Sequence, residues 1–172
     1  VEGPPLPVPL AYFMYDNNET GLFVAGGTTD GATMSTDVYM LHTVDKNAAW
    51  KKLCSLPEGV SYGAGVLSGD KFYVAGGDTG KGYTNKMWVL DISGCDGTWV
   101  ECAPMPGDAR MLPSLTACGK YLYLLGGLAN VSPLMPLPDI YRHDPEKNEW
   151  TRLKDLPFKG YAWASKAIDD IN

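Results

Sequence analysis

Three stretches of this chain end in the same way. Gly21-Leu22-Phe23-Val24-Ala25-Gly26-Gly27, Lys71-Phe72-Tyr73-Val74-Ala75-Gly76-Gly77 and Tyr121-Leu122-Tyr123-Leu124-Leu125-Gly126-Gly127 are each an apolar, aromatic run halted by two glycines. Gly26, Gly76 and Gly126 are spaced 50 residues apart. A fixed period of that size means an array of like supersecondary units, each unable to bury its own faces.

A second marker keeps step with the first. Trp50, Trp99 and Trp150 are 49 and 51 residues apart, and each is followed six residues on by Leu56-Pro57, Met105-Pro106 or Leu156-Pro157. Leu6-Pro7 is a fourth copy of that pair, and Tyr39, Trp88 and Tyr141 lie between each glycine pair and its tryptophan. One period reads as four strands, in the middle copy residues 60–67, 71–75, 86–92 and 98–102. The strands carry Val, Tyr, Phe and Trp, the turns Gly, Asp, Asn and Ser, and no segment shows a helical period. The expected fold is all-β, a propeller of four-stranded blades with modules at 8–57, 58–106 and 107–157 and a further first strand in 158–172. Small residues in the first strands (Ser61, Gly63, Ala64 and Gly65; Ser114, Thr116 and Ala117) suit the crowding around an axis.

Composition closes off several functions. A formal charge of −6 and a pI near 4.8 argue against nucleic acid, which requires a basic face. No apolar run approaches the roughly 20 residues that a membrane-crossing helix needs. Cys54, Cys95, Cys102 and Cys118 show no C-x-x-C or zinc spacing. A Cys95–Cys102 bridge is sterically conceivable, free thiols are the default, and the compartment stays open.

Glycine doublet, strand aromatic and tryptophan at this spacing resemble the Kelch repeat, in three copies covering the whole chain. The resemblance implies a propeller of about six or seven blades, of which about three are present. Both termini fall inside repeats: Val1 to Leu6 matches Lys51 to Leu56, and Asn172 falls where Phe72 opens a second strand. An exposed blade face of several hundred Å² at about 25 cal/mol per Å² represents on the order of 10 kcal/mol, comparable to a domain's whole stability. The expectation is therefore a piece of a longer propeller, or a chain that pairs with a second copy or a partner.

In an antiparallel blade the inter-blade links and the loops after the glycine pairs emerge on one face. The links are Val8-Pro9, Glu58-Gly59, Gly107-Asp108-Ala109 and Phe158-Lys159; the loops are 28–36, 78–85 and 128–138. Function is expected there, on loops held by a rigid scaffold. Arg110 opens an inner strand where other copies have Leu10, Val60 and Gly160. It has two readings, a structural pair and a cation for a carboxylate or polar sugar. Glu58, Asp108 and Tyr62 are candidates for proton exchange, and Tyr12 and Tyr161 for stacking, each set against a plain surface or packing role. His42 and His143 are read as corresponding peripheral positions, so no metal or cofactor is expected. Asn18-Glu19-Thr20 and Asn130-Val131-Ser132 match glycosylation acceptors, a pattern that also arises by chance.

The run from Leu6 to Tyr12, the repeated Leu-Pro and the Phe72–Gly77 stretch are similar to bacterial Kelch proteins of the sialic acid mutarotase (N-acetylneuraminate epimerase) type. That resemblance implies interconversion of sugar anomers by ring opening, with an acid, a base and a cation for the carboxylate. It favours a periplasmic or secreted location. Arg110 would be the cation, with Glu58, Asp108 or a tyrosine moving protons. The alternative is a non-catalytic platform that binds protein partners.

Overall fold

The computed structural model describes residues 3–43, 48–94, 97–131, 133–162 and 165. Each glycine-terminated run becomes the second strand of a four-stranded antiparallel sheet. The first blade runs β1 (Met14–Asn17), β2 (Gly21–Ala25), β3 (Val38–His42) and β4 (Lys51–Lys52) from inside outwards. The second repeats this with β5 (Ala64–Ser68), β6 (Lys71–Ala75), β7 (Met87–Asp91) and β8 (Val100–Glu101). In the third, β10 (Ser114–Cys118), β11 (Tyr121–Leu125), β14 (Ile140–Asp144) and β15 (Glu149–Arg152) form the blade. A small sheet of β9 (Arg110–Met111), β12 (Leu128–Ala129) and β13 (Met135–Pro136) stands at its end. Register repeats with the sequence: Ala25 pairs with Met14 and Val38, Ala75 with Ala64 and Met87, Leu125 with Ser114 and Ile140.

Strand alternation sends successive side chains to opposite blade faces, so the core lies between blades. Phe72, Val74 and Trp88 of the second blade pack with Met14, Phe23, Ala25 and Val38 of the first. Their neighbours Tyr73, Ala75 and Met87 face the other way, onto Leu115, Leu122, Leu124 and Tyr141 of the third. This packing sets the three blades in an arc, with β5 between β1 and β10.

The glycine pairs close the joints. Gly27, Gly77 and Gly127 donate to the carbonyls of Val60, Arg110 and Gly160 at 2.8, 2.8 and 3.1 Å, each in the next blade. The glycine before each donor makes room for that same carbonyl, since a Cβ on Gly26 would lie 2.3 Å from the Val60 oxygen. The tryptophans bind the outer rim in the opposite sense. Indole N–H groups of Trp50, Trp99 and Trp150 donate to the carbonyls of Pro4, Cys54 and Ala103 at 3.0, 3.1 and 3.0 Å. Each therefore reaches about one period back along the chain.

Three expectations from the sequence are corrected. The first strand of the middle blade begins at Ala64 rather than at residue 60, because Tyr62 takes φ 57° and interrupts the extended chain. The fourth strand of that blade is confined to Val100–Glu101. The two histidines do not correspond. His42 is five residues into β3 and His143 four into β14, and that offset of one sends them to opposite faces. His42 is exposed, whereas His143 is buried against Trp150 with ring centroids 4.7 Å apart. Cys102 is free, as are Cys54 and Cys118; Cys95 lies outside the described residues.

His143 supplies a pH prediction. Its Nε2 lies 3.2 Å from Asn148 Oδ1, which also accepts the Ala103 N–H at 2.8 Å, so Nε2 carries the proton. Nδ1 is left buried without a partner. Burial lowers its pKa below the ordinary 6.5, against weaker opposing effects of Asn148 and Asp144. The unfolded chain then binds more protons in mild acid, so stability present above about pH 6.5 falls as pH drops below it. Thermal midpoints measured between pH 7.5 and 5.5 should decline, and His143→Gln, which does not titrate, should flatten that decline.

Candidate functional site at the channel mouth

Backbone pairing brings the inter-blade links and the post-glycine loops to one end of the arc. Ala11 pairs with Thr28 and Thr28 with Met34; Ser61 pairs with Asp78 and Asp78 with Tyr83. In the third blade the same arrangement lengthens into β9, β12 and β13. Just inside it, Tyr12, Tyr62, Leu112 and Ala162 all adopt left-handed backbone, with φ of 56, 57, 52 and 56°. Tyr62 N–H donates to Tyr12 O at 2.9 Å, Leu112 to Tyr62 at 2.7 Å and Ala162 to Leu112 at 2.9 Å. A belt of main-chain bonds thus runs round the mouth from blade to blade.

The residues that follow the belt, Phe13, Gly63 and Pro113, line an axial groove of about 520 Å³ bordered by β1, β5 and β10. Asp16 lies in the same groove. Its carboxylate accepts the amide of Leu67 at 2.7 Å across the blade boundary and that of Asn17 at 2.8 Å. The groove was not singled out from the sequence. Side chains of inner strands point to neighbouring blades, so little in the sequence pattern marks residues whose edges face the axis.

Arg110 does not face this groove. Its side chain is fully buried and bound to Asp139 in a two-pronged pair, Nη1 to Oδ1 at 2.6 Å and Nη2 to Oδ2 at 3.0 Å. Nη1 also donates to Gly126 O at 2.9 Å, Nη2 to Pro106 O at 3.2 Å and Nε to Asp108 O at 3.1 Å. A guanidinium has five N–H donors, and all five are engaged. Of the two readings of Arg110, the geometry is that of the structural pair, and the ligand cation is corrected. Asp139, the partner that fixes this, was missed because it enters from a loop of different length 29 residues on.

The remaining candidates are accessible. Glu58 is half-buried and 3.3 Å from Lys86 Nζ, with side chains 39% and 43% exposed, so both retain contact with solvent. Asp108 is exposed. Tyr12 is 57% exposed and Tyr161 46%. Tyr62 stacks on Tyr12 with ring centroids 4.2 Å apart and planes at 24°. Burial raises the Tyr62 hydroxyl above the usual phenol range, reinforced by Tyr12 and Asp78. Tyr83 is raised by burial and by the same Asp78. Lys86, beside Glu58, and Asp78 and Tyr83, bridged to each other in the loop 78–85, were not singled out as residues from the sequence, although that loop was expected to contribute. Among the described residues no group of three His, Cys, Asp or Glu side chains converges to hold a metal.

Blades of four strands around a shared axis, tied by glycine pairs and tryptophans, define a segment of β-propeller with a polar and aromatic mouth. Residues 4–163 match the family described as the KLHDC2/KLHL20/DRC7 Kelch-repeats domain. The chain belongs to the Kelch-repeat family. It is 32% identical over 136 residues to an N-acetylneuraminate epimerase of Haemophilus influenzae, covering 78% of this chain and 35% of that protein. It is 34% identical over 120 residues to a Kelch domain-containing protein of Vibrio cholerae, covering 68% and 33%. The chain thus spans about a third of the length of these relatives. The solved structure titled "Structure of YjhT" superposes with a TM-score of 0.80 at 15% identity, over 95% of this chain and 61% of that one, a likeness of fold.

Proposed function

We propose that this chain supplies blades to a propeller that binds a small carbohydrate at the channel mouth and interconverts anomers of N-acetylneuraminate. The observation that carries this reading is the similarity to proteins named N-acetylneuraminate epimerase, reaching 37% identity over 100 residues for that of Pasteurella multocida, over 57% of this chain and 25% of that one. The mouth offers suitable chemistry beside it. Anomer exchange removes the proton of the anomeric hydroxyl, opens the ring as the ring oxygen is protonated, and recloses on the other face of the carbonyl. In this segment Glu58 takes and returns the proton, Lys86 beside it meets the sugar carboxylate, and Asp108 is the second accessible carboxylate.

Saturation exchange between the two anomeric signals of N-acetylneuraminate, recorded by NMR, tests the reading. Added intact protein should speed exchange, and Glu58→Gln should slow the catalysed rate about 100-fold, as removal of a general base does. Exchange that proceeds equally with and without protein would end it. A protein-binding role is favoured by one feature, the hairpin after Gly127. Val131, Leu134 and Met135 there are 43, 51 and 36% exposed, an apolar tip fit for a partner surface.

A further inference from the structure

The belt at the mouth contains a choice that its geometry does not require. Left-handed backbone suits glycine, because a Cβ there crowds the following carbonyl. This chain uses glycine at the left-handed joints 26, 27, 76, 77, 126 and 127. At 12, 62, 112 and 162, where φ is equally left-handed, it places Tyr, Tyr, Leu and Ala instead. The belt bonds are made by main-chain atoms and need no particular side chain, only a backbone N–H, which excludes proline. Side chains at these positions therefore answer to something other than blade closure.

Their sizes grade round the mouth. On one side Tyr12 and Tyr62 form a stacked pair; on the other stand Leu112 and Ala162. Tyr62 is half-buried and supports Tyr12, whose 57% exposure leaves ring surface open to solvent, and the residues that follow the two tyrosines, Phe13 and Gly63, line the groove. Asp78 pairs along the backbone with Ser61, immediately before Tyr62, and with Tyr83, so hydrogen-bonding groups adjoin the aromatic wall. An aromatic face is negative and attracts the weakly positive C–H face of a pyranose, while neighbouring acceptors take its hydroxyls.

We propose that Tyr12 is a sugar-stacking platform at the channel mouth, with Tyr62 as the positioning residue that holds its ring. This rests on the carbohydrate reading given above, though not on catalysis. The molecule supplies its own conservative replacement, since Leu112 shows that leucine is compatible with the belt. Tyr12→Leu and Tyr62→Leu therefore remove rings without removing the joint.

The test is titration of the intact protein with N-acetylneuraminate, followed by saturation-transfer NMR, with the open-chain polyol glucitol as a ligand that has no ring face. Tyr12→Leu is expected to weaken binding about fivefold and Tyr12→Phe to leave it near wild type, because stacking and not the hydroxyl is at stake. Tyr62→Leu should weaken binding less. Unchanged affinity in Tyr12→Leu, glucitol binding as tightly as the sugar, or no binding by the wild-type protein would each overturn the platform. Anomer exchange judges the enzymatic reading separately: binding that depends on Tyr12 without exchange leaves the platform standing and removes the isomerase.

Discussion

Asp139→Ala is expected to destabilise the protein by about 3–5 kcal/mol, the usual consequence of stripping one partner from a buried ion pair. Arg110 has no exposed surface and cannot turn to water, so two of its N–H groups lose a charged acceptor while the carbonyls of Gly126, Pro106 and Asp108 remain. The loss should fall on the joint between the second and third blades, since the Arg110 carbonyl also accepts the Gly77 amide. Replacing both residues, Arg110→Met with Asp139→Leu, should cost much less than Asp139→Ala alone, because no charge is then left unpaired. Urea unfolding of the single and double variants measures the difference. A single variant within about 1 kcal/mol of wild type would show that the pair is not what holds the joint.

Gly77→Ala should be about as severe, roughly 3–5 kcal/mol or failure to fold. At φ 109° the added Cβ would sit 2.4 Å from the Ser61 carbonyl oxygen and 2.6 Å from a Val60 methyl, and one of those atoms is backbone that cannot step aside. Gly31→Ala is the matched control. Its φ is 80°, but nothing lies within 4 Å of the new methyl, so only the conformational cost of about 1 kcal/mol applies. Comparable losses in the two variants would mean that backbone conformation, and not the close approach of neighbouring strands, demands the glycine pair.

The repeat made most of the fold legible before any coordinates. Strands ending at Gly26, Gly76 and Gly126 were visible because a buried strand and a forced left-handed turn both leave marks in residue type. The tryptophans were visible as markers but not as donors, since Trp50, Trp99 and Trp150 bond to carbonyls 45 to 47 residues earlier and a carbonyl has no sequence signature. Tyr62 falls inside the strand that the repeat leads one to expect over residues 60–67. Only the cross-blade bonds that hold its backbone at φ 57° explain why it is not in one. At the mouth, strand direction puts the links and the post-glycine loops on one face; of the candidates there, Tyr12 and Tyr62 meet as a stacked pair, while Glu58 meets Lys86. What could not be read was pairing: Lys86 against Glu58 and Asp139 against Arg110 meet only through loops of unequal length.

The mouth is stitched together by peptide groups, which every amino acid possesses, and decorated by side chains, which the stitching ignores. Substitutions at 12, 62, 112 and 162 can therefore accumulate without loosening the ring. A lineage built on this plan can change what it admits at its entrance while leaving the walls as they stand.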